Sequence, residues 1–449
     1  MVKTLFTFSL AILLPAAAAY ATPTITQIAA GAGHVLFLKS DGSLWAFGQN
    51  DHGQIGDGTY DSPNRSEQIN ASNVVKIVAG GDCSLILKSD SSLRIAGLNA
   101  YGQLGDGTYN DANQFEEILS SNVVATAAGG DFNLFIKSDG SLWGMGDNSY
   151  GELGVGIGNL ITRPVQIVSN GVVAVAGGLA HSLFLKSDGS VWAMGFNWAG
   201  QIGDGTYSQA VYSPEKIISS NVIAIAAGDR HSLFIKSDGS LWGVGNNYDG
   251  ELGDGTFTPT NRPEQIVASG VIAVAAGGRH TLFVKSDGSL WAMGASNVGQ
   301  LGDGSTSSTN QPKQIVSSGV VAIAAEAYAS IFLKSDGSLW GMGSDFLGSL
   351  GDGFQNDNES YVPEQIVPSP QPCLEISVSS QSDLQFQATC LFGGTYYLLA
   401  GTNLSQPIDQ WQPAWTNVVT TRGLNNFNAT ITNVVNGDIQ QQFYILQSQ

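Results

Sequence analysis

The pentapeptide Lys-Ser-Asp-Gly-Ser begins at Lys39, Lys137, Lys186, Lys236, Lys285 and Lys334, and a variant, Lys-Ser-Asp-Ser-Ser, begins at Lys88. Successive copies stand 49 or 50 residues apart. This period constrains the fold more than any other feature of the chain. It means that one supersecondary unit recurs, and that each unit relies on its neighbours to cover its apolar faces.

Each unit carries four apolar segments. In the sixth they are Val271–Ala276, His280–Lys285, Ser289–Gly294 and a short one starting at Gln314. The first three are strand-length, rich in branched and aromatic residues, and bounded by Gly, Asp or Ser. Asp-Gly between the second and third predicts a tight hairpin of type I′, with positive φ at both central residues. Asp90-Ser91 lacks the glycine, which predicts slight strain there. Six of the nine tryptophans share one slot: Trp45, Trp143, Trp192, Trp242, Trp291 and Trp340, with Arg94 in the second unit. Bulky aromatics at strand spacing predict one core-packing job done repeatedly.

A four-stranded unit every 40 to 50 residues or so is what a β-propeller blade requires, whereas stacked β-solenoids repeat at much shorter intervals. The expectation is an all-β chain: a seven-bladed propeller over residues 22–367, then a small β-sandwich-like module. Composition agrees, with 57 glycines and only 12% charged residues, about half the usual charged share.

Four slots hold the candidate functional residues. Inside Asn-x-x-Gly stand Asp51-His52, Ala100-Tyr101, Ser149-Tyr150, Trp198-Ala199, Tyr248-Asp249, Asn297-Val298 and Phe346-Leu347; Ser296 and Asp345 replace the Asn in the last two units. After Gly-Asp-Gly stand Tyr60, Tyr109, Tyr207, Phe257 and, one residue earlier, Phe354. Variable residues between recurring turns belong to loops, where rigid scaffolds present binding groups, and aromatic rings there make low-entropy anchors. Alternatively, these rings only seal one blade against the next. Trp198 and Tyr248, from adjacent units, are the expected centre of any binding patch.

His34, His181, His231 and His280 share the third slot, with Cys83, Phe132 and Ala329 in the other units. Equivalent slots on separate blades lie around a ring, so these imidazoles are not expected to converge on a metal. Replacement by Phe and Ala points to packing or a hydrogen bond. The fourth slot holds Asp57, Asp106, Asp204, Asp254, Asp303 and Asp352. Aspartate there is expected to turn the chain by bonding its own backbone. Calcium is the rival reading, best supported in the last unit by Asp352, Asp357, Glu359, Asn356 and Asn358, but without the spacing of a calcium loop. No Gly-x-Ser-x-Gly, His-Glu-x-x-His or Walker lysine loop occurs, so no catalytic residue, metal or cofactor is assigned and the chain is read as a non-enzyme.

Net charge is −19, and seven of the 18 basic residues are the repeated lysines. Nucleic acid requires clustered Lys and Arg to displace counterions, so it is not an expected partner. Residues 1–21 have the form of a secretion signal: Lys3, an apolar run, and Ala19-Tyr20-Ala21 fitting small-x-small cleavage. No other stretch approaches a membrane span. A secreted, periplasmic or cell-surface protein follows as the expectation. Pro368–Pro372 reads as a stiff linker. Residues 373–449 read as the small β module, with strands expected at Leu374–Val378, Leu384–Ala388, Thr395–Leu399 and Gln442–Leu446. Cys373 and Cys390 are candidates for pairing, and Cys83 for a buried thiol. Trp411 and Trp415 either fill that module's core or stack on a sugar ring.

The segment GDRHSLFIKSDGSLWGVGNNYDGELGDG, Gly228 to Gly255, resembles the regulator of chromosome condensation repeat, with Glu251 in a Gln position. The resemblance covers all seven units and implies a seven-bladed propeller. It also implies a nuclear exchange factor acting on a small GTPase and chromatin. The leader, the acidity and the lack of a basic tail depart from that role. In compartment the chain is similar to secreted bacterial propeller inhibitors of β-lactamases, which block an enzyme with aromatic loops on one face. Tyr396–Asn417 resembles a short C-terminal module common in secreted bacterial proteins. The expected function is a secreted protein-binding scaffold using the aromatic loops of one rim. An inhibitor of a secreted enzyme and a glycan-binding surface protein are the alternatives.

Overall fold

Each repeat folds into one four-stranded antiparallel sheet whose strands follow in sequence order, so every blade is contiguous in the chain. The computed structural model describes residues 23–69, 71–353 and 359–369, and the backbone of six strands between 375 and 448. The blades run 25–69, 74–119, 123–168, 172–218, 222–267, 271–316 and 320–367. The predicted strands Val271–Ala276 and His280–Lys285 are found with those bounds. The fourth strand is longer than expected, eight residues over Thr309–Val316. Further strands cover Glu375–Val378, Leu384–Cys390, Thr395–Gly401, Gln412–Val418, Asn425–Ile431 and Phe443–Ser448, in two three-stranded antiparallel sheets. They belong to a second unit. The leader, residues 370–372 of the proline-rich linker, Phe354, Asp357, Cys373, Trp411 and the side chains of Cys390 and Trp415 lie outside the described residues.

Seven apolar clusters hold the described ring together, each shared between two adjacent blades. The blade 7–blade 1 cluster joins Ile331 and Leu350 to Val35, Phe37 and Phe47. Among the described residues no strand is exchanged between blades to close the circle. A backbone latch assists: the last glycine of each Gly-x-Gly turn donates its N–H to the outer strand or its approach in the next blade. Gly205 donates to Asn261 at 2.8 Å and Gly255 to Asn310 at 2.8 Å, and Gly353 completes the circuit by donating to Asn64 at 2.8 Å.

The Lys-Ser-Asp-Gly hairpin differs from the prediction. Only the glycine has positive φ, +76° at Gly288, while Asp287 does not. Lys285 N–H donates to Ser289 O, and Gly288 N–H donates to Lys285 O. This is a three-residue connection, a type I turn followed by a left-handed residue. The aspartate earns its place through its side chain: Asp287 Oδ1 accepts from Ser289 N–H at 2.9 Å and from its hydroxyl at 2.6 Å. That hydroxyl oxygen accepts from Trp291 Nε1–H at 2.9 Å. Ser91, where the glycine is missing, stands at φ +65°, the strained conformation the sequence foretold.

The shared tryptophans are half-buried rather than core. Trp291 stacks on buried Phe283 with centroids 6.1 Å apart, and Lys285 Nζ lies 4.2 Å from its ring centroid. One face packs and the other is capped by a cation, which explains why Lys recurs with Trp. In unit 2, Arg94 pairs instead with Glu117 at 2.9 Å.

A bulge opens the first strand of every blade. It turns the second residue outward, so Val74 is buried while Val75 is exposed.

Candidate functional site

The third strand runs from the Lys-Ser-Asp-Gly turns toward the opposite end of the blade, where it pairs back to the histidine slot, as Gly245 does to His231. The Asn-x-x-Gly-Gln-Leu-Gly-Asp-Gly loops therefore all emerge on one face. Their recurring residues are structural. In blade 5, Asn247 Oδ1 accepts from Leu252 N–H at 2.9 Å, while its Nδ2 donates to Asp254 at 3.0 Å and to Thr256 O at 3.2 Å. Asp254 accepts from Thr256 N–H at 2.7 Å. The aspartate slot thus turns the chain as expected. With the frame tied internally, the two positions after the Asn are free to vary.

Among the predicted binding residues, Tyr60, Tyr101, Tyr109, Tyr150, Trp198, Tyr207, Tyr248, Phe257 and Phe346 are exposed on these loops. His52 is engaged, its Nδ1 lying 2.9 Å from Asp111 Oδ2 of the next blade. Only some of them meet. Trp198, Tyr207 and Tyr248 line a single open cleft of about 300 Å³ between blades 4 and 5, together with Ala199, Arg230, Asn246, Thr258 and Pro259. Tyr207 donates its hydroxyl to Pro259 O at 3.2 Å and braces the two loops. Tyr150 meets Phe196 edge-on at 5.0 Å, and Phe196 meets Trp198 at 5.4 Å, extending the aromatic surface toward blade 3. Tyr60, Tyr101, Tyr109, Phe257 and Phe346 do not line the cleft.

Phe196 and Arg230 were not singled out from sequence. Both occupy variable slots that went unread: the residue between Gly and Asn (Gln49, Leu98, Asp147, Phe196, Asn246, Ala295, Ser344) and the residue before the histidine (Gly33, Asp82, Asp131, Ala180, Arg230, Arg279, Tyr328). Together these slots divide the face electrically. On blades 2 and 3, burial and then Asp147 and Asp82 push the Asp131 carboxyl up to about 6. Burial pushes Glu152 up to about 7. On blades 5 and 6 stand Arg230 and Arg279, the latter 3.7 Å from Asp249.

The four histidines lie fully buried between blades. His181 Nε2 is 2.9 Å from Ser232 Oγ, and that hydroxyl donates to Gln201 O at 2.7 Å. The hydroxyl proton being committed, the imidazole donates from Nε2. Burial drives all four imidazoles down to about 3 or 4, so they are neutral staples. Cys83 makes the equivalent contact with Asn133, and burial pushes its thiol up to about 12. Among the described residues no group of three or more His, Cys, Asp or Glu is arranged to hold a metal ion.

Seven four-stranded blades presenting variable loops on one face define a seven-bladed β-propeller. The model described as the RCC1-like domain matches residues 60–385, and that of the regulator of chromosome condensation (RCC1) repeat matches 25–54. The chain belongs to the RCC1-like domain family. A comparison with curated proteins returns no match. Among solved structures the chain is similar to human WBSCR16, at 24% identity and a TM-score of 0.62, over 69% of this chain and 85% of that one. It is also similar to Prp20p of Saccharomyces cerevisiae, described with its binding to Gsp1p and histones, at 20% identity and 0.60, over 70% and 84%. Yeast RCC1 (Prp20) bound by Kap60 matches at 21% and 0.61, over 68% and 78%. At such identities the likeness speaks for the fold.

Proposed function

We propose that the chain is a secreted protein-binding scaffold that engages its partner through the loop face, centred on Trp198 and Tyr248. The observation that carries this reading is the gathering of three exposed aromatic rings into one braced cleft. Large aromatic rings in such a setting are the usual hot spots of protein interfaces. The protein partners of Prp20p named above agree with a binding role. Residues 1–21 support secretion, and expression of the full chain in its secretory host should give a mature N-terminus near Thr22. The test of the face is capture by the immobilised chain from extracellular material. A partner retained by the wild type and lost by at least about tenfold in Trp198→Ala and Tyr248→Ala supports the reading, tenfold being about 1.4 kcal/mol. Capture that is indifferent to both changes defeats it.

A further inference from the structure

Resting on that reading, we infer that the cleft between blades 4 and 5 receives an acidic peptide segment of the partner. A carboxylate would sit on Arg230, and an adjoining aromatic or aliphatic side chain between Trp198 and Tyr248. Three observations converge on this ligand chemistry.

The first is the state of Arg230. It is exposed, and its guanidinium lies 5.9 Å from the Phe196 ring centroid, which supports its position. It makes no side-chain hydrogen bond or ion pair with any described residue, whereas its counterpart Arg279 is engaged by Asp249. Asp229, the adjacent residue, is electrostatically coupled to it. Burial raises that carboxyl, while Arg279 and Arg230 pull it back. Arg230 thus offers a planar fork of donors at the edge of three aromatic rings, the geometry that takes a carboxylate in two parallel hydrogen bonds.

The second is charge. The chain carries −19, and the loop face is acidic at Asp82, Asp131, Asp147 and Glu152. A cationic segment would be drawn to that half. Asp229, Asp249 and Glu251 also stand on blade 5, but the one charged residue in the wall of the cleft is a cation. An acidic ligand that binds this chain must overcome general repulsion, so its binding reports a specific site.

The third is size. About 300 Å³ lies at the lower end of ligand-pocket volumes. It accommodates one or two side chains of an extended segment, with the rest of a partner resting on the surrounding rim.

The test uses the immobilised full chain and a synthetic glutamate–tyrosine copolymer as the probe. Polyglutamate, a lysine–tyrosine copolymer and polygalacturonate are compared with it. The wild type is expected to prefer the glutamate–tyrosine copolymer. Arg230→Gln and Trp198→Ala should each weaken it at least about tenfold, as loss of a charged hydrogen-bond donor or an aromatic anchor does. Arg230→Lys should fall between, and Arg94→Gln, on blade 2, should leave binding unchanged. Preference for the lysine copolymer or for polygalacturonate, or indifference to Arg230→Gln, overturns the inference. If the copolymer fails while partner capture still depends on Trp198, the acidic chemistry falls and the protein-binding reading stands. If capture itself ignores Trp198, both fall together.

Discussion

The two faces of the propeller are written by the same seven units, yet one is nearly invariant and the other varied. On the turn face every side chain of Lys-Ser-Asp-Gly-Ser-Leu-Trp apart from the first serine has a task inside the ring, within its own unit or at the seam with the next. In blade 6 Asp287 holds Ser289, Ser289 holds Trp291, Lys285 covers Trp291, and Leu290 is buried. On the loop face the Asn, Gln, Leu and Asp positions are bound internally, while the residues between them meet solvent. Repetition therefore marks side chains whose partners lie within the ring. Variation marks exposed positions, a few with an internal partner such as His52 with Asp111, most of which cost little stability on replacement.

That contrast breaks most visibly at one blade. Phe283 is fully buried against Trp291 at the seam of blades 5 and 6. Phe283→Ala should cost about 3–5 kcal/mol of unfolding free energy through lost burial and a residual cavity. Tyr248→Ala, with Tyr248 72% exposed, should stay within about 0.5 kcal/mol. Urea unfolding of both variants measures the difference. Comparable losses would mean that the loop residues are structural after all.

Blade number, strand order and three of the four strands per unit were legible because period and alternation are properties of the chain itself. So was the aspartate turn, since its bonds reach only two residues away. Asp-Gly does not fix the hairpin type because it suits more than one turn, and the deciding bond, Lys285 N–H to Ser289 O, depends on a fifth residue. Tryptophan spacing predicts core because the spacing is visible in the sequence, whereas the lysine that caps each exposed face shows there only as part of a turn. At the candidate site, Trp198 and Tyr248 could be named from their slots. Arg230 and Phe196 could not, because their approach depends on how two loops of adjacent blades lean together.

Asp345 sharpens the comparison at intermediate scale. It stands where the first five units have Asn: Oδ1 accepts from Leu350 N–H at 2.8 Å as the amide oxygen does, but a hydrogen bond to Asp352 needs one of the two carboxyls protonated. Burial, and then Asp352, push its carboxyl up to about 7 from 3.8. The sign follows from linkage. A folded pKa above the unfolded one means that the folded state holds the proton more firmly, so stability present below pH 3.8 is lost as pH rises through about 7. Asp345→Asn restores the donor and removes the charge. It should stabilise by about 1–3 kcal/mol at pH 8 or so, as satisfying a buried polar group does, and the gain should shrink toward pH 4 or thereabouts. Unfolding midpoints across that range decide it, and a gain independent of pH would show that ionisation of Asp345 is not its source.

The smallest effect belongs to the worn hairpin of blade 2. Ser91 adopts φ +65°, which an L-residue adopts at a cost and glycine does not. The other six units carry glycine there, among them Gly288 at φ +76°. Ser91→Gly should therefore raise stability despite the greater freedom it gives the unfolded chain, by roughly 0.5–1 kcal/mol once that entropy is deducted. Gly288→Ser should lower it by a similar amount. Measuring the pair by thermal unfolding isolates the turn from its surroundings, because the serine hydrogen bonds to the preceding aspartate are present in both blades: Ser92 N–H donates to Asp90 and Ser289 N–H to Asp287, each at 2.9 Å. Opposite signs in the two blades would tie the repeated glycine to its backbone angle. Equal signs would mean that blade 2 has repacked around its serine, and that the face with the most uniform sequence is not uniform in its energetics.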